Sequence, residues 1–244
     1  MVLTATACGL SPSQAAPSTT SSATTSTVPS AVPSTSTTTT AVATTSTTAP
    51  WVLGATPLPL GPDGDPEVLP TPPQLFDRRI ATVDRLPPPT DGAFHASIEP
   101  IDDATRTRMG ASWHEGCPVG LDRLRHVTLS FVGFDEGVHT GELIVAASVA
   151  DDVVTVFQTL FEARFPLEQV AIVTTADLTV PATGDGNVTA GFVCRAVRGS
   201  TRWSSHARGL AIDVNPFQNP YSKGDRVLPE LASAYLDRSD VRSG

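Results

Sequence analysis

Residues 204–215 read Ser204-Ser205-His206-Ala207-Arg208-Gly209-Leu210-Ala211-Ile212-Asp213-Val214-Asn215, an S-x-H-x-x-G-x-A-x-D pattern that sets one imidazole shortly before one carboxylate. Both groups are zinc donors, and a catalytic zinc takes three protein ligands and keeps a fourth position open. If residues 210–215 form a strand, alternation turns Leu210, Ile212 and Val214 to one face and Gly209, Ala211 and Asp213 to the other. The second face is stripped of bulk beside its carboxylate, which leaves room for an ion and a substrate. The loop 206–209 lets the imidazole fold back toward Asp213. His206 and Asp213 are thus two of three metal ligands; without an ion, the same residues are a surface loop entering a core strand.

The whole pattern resembles the zinc-ligand motif of the M15 peptidases, the D-alanyl-D-alanine carboxypeptidases and L-alanyl-D-glutamate endopeptidases that cut peptidoglycan stem peptides. Further landmarks resemble actinobacterial members in their order: Trp113-His114-Glu115-Gly116-Cys117-Pro118-Val119, Gly133-Phe134-Asp135, His139-Thr140-Gly141-Glu142-Leu143, Phe192-Val193-Cys194-Arg195, Thr201-Arg202-Trp203-Ser204 and Asn215-Pro216-Phe217-Gln218-Asn219-Pro220-Tyr221. The resemblance covers residues 94–244. It implies Zn2+ as cofactor and amide hydrolysis as chemistry, with the metal polarising the scissile carbonyl. It also implies a catalytic role for Arg195, steadying a substrate carboxylate or the oxyanion, against a solvated surface arginine. Ser204 either touches substrate, orients His206 or caps its loop.

In that family a later segment, an acidic residue three positions before a histidine and then an aromatic, supplies the catalytic base and the third zinc ligand. The five histidines here are His95, His114, His126, His139 and His206, so none follows His206. The expectation is a chain truncated at its C-terminus, with base and third ligand beyond Gly244. Such a chain would hold zinc weakly and hydrolyse stem peptides poorly, since general-base assistance is worth roughly 10²–10⁴-fold. The alternatives are a non-catalytic wall-binding module or pseudoenzyme with the same cleft, and a fragment that folds poorly. The two cleavage specificities share their ligands, so the bond cut stays open.

His139 and Glu142 form H-x-x-E on an expected strand, where that spacing puts them on opposite faces and prevents a shared ion. His139 is read as structural or at a cleft edge, His114 as a loop residue, and Trp203 as an aromatic wedged under a loop or a stacking platform.

Composition frames these residues. Residues 1–62 carry no charged side chain, and residues 17–50 are nearly all Ser, Thr, Ala, Val and Pro, too little apolar surface to offset chain entropy. They are expected to form a disordered spacer, either a tether or a plain low-complexity tail. Ahead of it, residues 2–9 run through small and apolar residues into Cys8-Gly9, which resembles the end of a bacterial lipoprotein signal, although it lacks a basic start. Lipidation of Cys8, with membrane anchoring, stands beside a chance cysteine; an exported protein of the cell envelope is expected. Of the three cysteines, Cys117 and Cys194 remain for one disulfide or two reduced thiols. The net charge of −9 arises wholly after Pro62, and with no basic run it disfavours nucleic acid.

The elements that must position the site are legible in part. Residues 125–132 alternate as a half-buried strand, Asp135-Glu136-Gly137 reads as a turn, and residues 138–147 as the returning strand. Residues 151–165 place Val153, Val154, Phe157, Leu160 and Phe161 at helical spacing, with Asp151 and Asp152 at the start and Pro166 closing. Residues 170–173 read as a strand, 183–187 as a loop, and 192–194 as a return to the sheet. The expected class is α+β: one domain with a central antiparallel sheet and flanking helices, carrying a zinc site on one face. The expected divisions are 1–8 signal-like, 9–62 linker, 63–93 proline-rich lead-in and 94–244 peptidase-like domain.

Overall fold

The alternation of residues 124–146 becomes a long hairpin. In the computed structural model, which describes residues 50–239 with Val241 and Gly244, β1 (Ala96–Pro100), β2 (Leu124–Val132) and β3 (Val138–Ala146) pair antiparallel in the order β1-β2-β3. Val127 faces Leu143, Thr128 faces Glu142 and Phe131 faces His139 across the β2–β3 register. The turn falls at Asp135-Glu136-Gly137: the Gly133 N–H donates to the Gly137 carbonyl at 2.9 Å, and Glu136 takes a left-handed φ of 64°.

One sheet face carries Val127, Leu129, Phe131, Leu143 and Val145. Helix α2 (Ala150–Glu162) packs on this face, and helix α1 (Asp103–Met109) reaches the other through Met109, beside Leu124 and Ile144, and through Arg108, which meets Glu142. The spacing of Ala150, Val153 and Phe157 puts all three on one stripe of α2, buried against that face. Full burial of a Val or Phe contributes roughly 1.5–3 kcal/mol. Asp151 and Asp152 sit in the first turn of α2, where the helix dipole favours negative charge. On the α1 side, Leu124 and Ile144 pack with Met109, Ile172 and Phe192.

Smaller elements complete the described residues. β4 (Gln169–Val170) and β5 (Val188–Thr189) form a parallel pair, α3 (Thr175–Thr179) opens on a Thr174–Asp177 capping box, and β6 (Tyr221–Lys223) and β7 (Arg226–Leu228) form a second hairpin. The architecture is therefore mixed α and β, with a small antiparallel sheet and few helices. No described helix is long and apolar enough to cross a membrane.

Three sequence expectations need correcting. Of residues 170–173 only Val170 lies in a strand. Residues 192–194 form none, although the Phe192 N–H donates to the Ile144 carbonyl at 2.8 Å beside β3. Residues 210–215 form no strand either: a single bridge joins Asp213 to Ala190, Ile212 and Val214 pack into the core, and Leu210 is exposed. Gly209 explains the last point, because its left-handed φ of 68° turns the chain just before Leu210.

The proline-rich lead-in is irregular in backbone yet firmly packed. Leu75 lies with Phe217, Leu231 and Ala232, flanked by Trp51, Leu58, Leu69 and Tyr235. Arg78, buried, donates twice to Glu168 (2.7 Å each) and once to the Asp185 carbonyl at 2.7 Å, and stacks over Phe217 at 4.5 Å. Glu168 also accepts from Asn187 Nδ2 at 2.7 Å. Buried charges persist only when paired and hydrogen-bonded in this way. The expected signal-like segment, Cys8 and the linker up to residue 49 lie outside the described residues.

Candidate metal site

His206 and Asp213 meet, although no regular strand carries them. Their positions come from backbone bonds to the sheet edge. The Gly209 carbonyl accepts from the Ala146 N–H at 2.9 Å, docking the loop on the end of β3. A Cβ on Gly209 would lie 2.4 Å from the Ala146 nitrogen, so this approach requires glycine. Asp213 exchanges both backbone hydrogen bonds with Ala190. The imidazole is then oriented by its Nδ1–H, which donates to the Gly191 carbonyl at 2.7 Å.

That bond fixes the tautomer and leaves the Nε2 lone pair free, 3.4 Å from Asp213 Oδ2. Two donors each about 2.0–2.1 Å from a tetrahedral zinc lie about 3.3 Å apart. The observed separation fits ligands flanking one cation, and the carboxylate is 56% exposed, open to an ion from solvent. The Asp213 carboxylate raises the His206 pKa, burial opposes, the Gly191 carbonyl adds to the rise, and Arg195 opposes it.

Arg195 and Ser204 stand opposite each other in a hairpin leading into the loop, with the Ser204 N–H donating to the Arg195 carbonyl at 3.1 Å. The Arg195 guanidinium is exposed and close enough to act on the His206 charge. Ser204 is buried, and its Oγ accepts the His206 N–H at 3.3 Å, a loop-capping contact. Trp203 pairs with Ala196 in that hairpin and is partly exposed.

Among the described residues no third histidine, cysteine or carboxylate joins His206 and Asp213. The other group whose donor atoms converge is His114, Cys117 and Cys194, within 4.8 Å of one another. Such a set could take a metal, but here Cys117 and Cys194 are joined as a disulfide, so neither offers a thiolate.

His139 and Glu142 point to opposite faces, as their spacing requires. His139 is buried between Asp84 Oδ1 at 2.8 Å and Asp135 Oδ1 at 3.0 Å. Burial works against its charged form, yet the two carboxylates outweigh it and raise the pKa. Glu142 is buried against Arg108 and His126 Nε2; burial raises its pKa, but these partners prevail and hold the carboxyl below the usual range. Sequence reading singled out Glu142 without its partners, which come from a helix and a neighbouring strand. The Gly191 carbonyl that orients His206 was missed too, since a backbone acceptor leaves no side-chain signal.

Residues 198–242 match a family model described as D-alanyl-D-alanine carboxypeptidase. The matched span contains Ser204, His206 and Asp213 and leaves Arg195 outside. It supports an M15-family peptidase, coarsely a peptide-bond hydrolase of the kind that acts on peptidoglycan. No curated protein matches this chain, and no solved structure does.

Proposed function

We propose that this chain is a zinc-dependent hydrolase of peptidoglycan stem peptides, a D,D-carboxypeptidase or an L-alanyl-D-glutamate endopeptidase. The observation that carries it is the His206–Asp213 pair: one free imidazole lone pair and one open carboxylate at zinc-ligand separation. When bound there, zinc supplies a Lewis acid that polarises the scissile carbonyl. The chain's own residues do the rest. Gly191 holds the His206 ring in the metal-binding tautomer. The exposed Arg195 guanidinium offers paired donors to a substrate carboxylate or to the oxygen on which charge develops. Ser204 fixes the loop by its bond to the His206 N–H. An exported, wall-facing location, with or without a lipid on Cys8, accompanies this reading.

A second reading is a stem-peptide-binding module with the same cleft and no turnover. It is favoured by the two-ligand set among the described residues. The full chain, loaded with zinc and dialysed, is analysed for metal and incubated with a pentapeptide ending in D-Ala-D-Ala and with an L-Ala-D-Glu-containing peptide. Release of D-alanine or of the L-alanyl fragment, with zinc and turnover both lost in His206→Ala, upholds the hydrolase. Peptide binding without turnover upholds the module, and neither binding nor turnover defeats both.

A further inference from the structure

The loop 113–117 and the segment around Cys194 meet at a disulfide that has an imidazole beside it. The loop closes as a turn in which the Cys117 N–H donates to the His114 carbonyl at 3.0 Å. The Gly116 N–H donates to His114 Nδ1 at 3.2 Å, so Nδ1 is the acceptor and the neutral ring carries its proton on Nε2. That Nε2–H stands 3.5 Å from Cys194 Sγ. The tautomer denies a metal the Nε2 lone pair, but it suits a sulfur that takes up negative charge. Both cysteines are half-buried and His114 touches both sulfurs, its backbone N–H donating to Cys117 Sγ at 3.1 Å, but their surroundings differ. Cys117 follows the exposed run His114, Glu115 and Gly116, whereas Cys194 follows buried Phe192 and Val193, with its backbone N–H held by the Ser112 carbonyl at 2.9 Å.

We propose that the Cys117–Cys194 disulfide is a thiol-exchange site, at which a small-molecule thiolate attacks Cys117 Sγ and Cys194 leaves as a thiolate held by His114. In the first step the Cys117–Cys194 bond breaks, its electron pair departs on Cys194, and a mixed disulfide forms between Cys117 and the incoming sulfur. A second thiolate then releases Cys117, so that two external thiols are oxidised to their disulfide as the protein disulfide is reduced. A leaving thiolate that is stabilised departs faster. The site is separate from His206 and Asp213 and stands whether or not the chain hydrolyses peptides.

The test uses full-length Cys8→Ser protein in its oxidised form, exposed to glutathione under native conditions, acid-quenched at intervals and peptide-mapped. The expected early product is glutathione on Cys117 with a free thiol at Cys194. His114→Ala should slow its appearance about tenfold, while His114→Gln, which keeps an N–H donor, recovers part of the rate; the melting curves confirm that both variants are folded. Adduct first on Cys194, an unchanged rate in His114→Ala, or exchange only after unfolding would each overturn the proposal.

Discussion

The His206 ring is useful because a carbonyl on a different segment decides which nitrogen faces Asp213, and the loop reaches that carbonyl only through Gly209. Replacing Gly209 by alanine forces a Cβ to within 2.4 Å of a backbone nitrogen at a φ of 68°. The left-handed conformation alone costs roughly 1–2 kcal/mol for an L-residue. Gly209→Ala should lower the urea midpoint accordingly and weaken zinc binding, because the loop must leave β3; a variant with wild-type midpoint and zinc affinity would contradict the docking described. His139 gives a pH signature. Its folded pKa is raised above the usual 6.5 by Asp84 and Asp135, so its contribution is fully present below about 6.5 and is lost as pH rises through the folded value. The melting temperature should therefore decline over that interval, and His139→Gln should flatten the decline. An identical pH profile in the variant would show that the ring carries no such linkage.

At the scale of elements, the pieces held by their own periodicity were legible and those held by distant partners were not. β2 and β3 line Val127, Leu129, Phe131, Leu143 and Val145 along one face and α2 buries one stripe, so alternation or helical spacing announced them. Residues 192–194 and 210–215 look like strands in residue type, yet Phe192, Val193 and Cys194 each donate to a different segment, at Ile144, His206 and Ser112 in turn, Asp213 makes a lone bridge to Ala190, and Gly209 turns the chain between the two stretches. The lead-in shows no period at all, because its attachment depends on Arg78 finding Glu168, 90 residues away. His206 and Asp213 were legible because their motif is local; Arg108, His126 and Gly191 were not, because only the fold assembles them. The lead-in contact is testable. Removing one partner of a buried ion pair leaves an uncompensated charge and typically costs about 3–5 kcal/mol. Arg78→Ala should show a loss of that size in denaturant unfolding, and Arg78→Met combined with Glu168→Leu should recover part of it. A single variant within about 0.5 kcal/mol of wild type, the ordinary range for surface changes, would remove the lead-in from the structural core.

For the whole molecule, the boundary between dispensable and essential chain lies further toward the N-terminus than the domain-like motifs suggest. Trp51 Nε1–H donates to Asp185 at 2.8 Å, Thr71 Oγ1 donates to the Leu231 carbonyl, and Asp84 pairs with His139, so residues 51–84 touch the segments on either side of the metal loop. Residues 9–47, by contrast, have no charged side chain and are mostly Ser, Thr, Ala and Pro, a composition with little apolar area to remove from water. Deleting residues 9–47 should leave the melting temperature within a few degrees of the full chain and leave zinc binding by His206 and Asp213 unchanged. Deleting residues 9–93 strips Leu75 from its cluster, leaves Glu168 buried without Arg78 and leaves His139 without Asp84. That shorter chain should fail to give a cooperative transition even though it keeps every residue of the S-x-H-x-x-G-x-A-x-D motif. Calorimetry on the pair decides the matter: a cooperative transition in the shorter chain at the full-length temperature would mean that residues 50–93 only decorate the surface, and the boundary would return to residue 94.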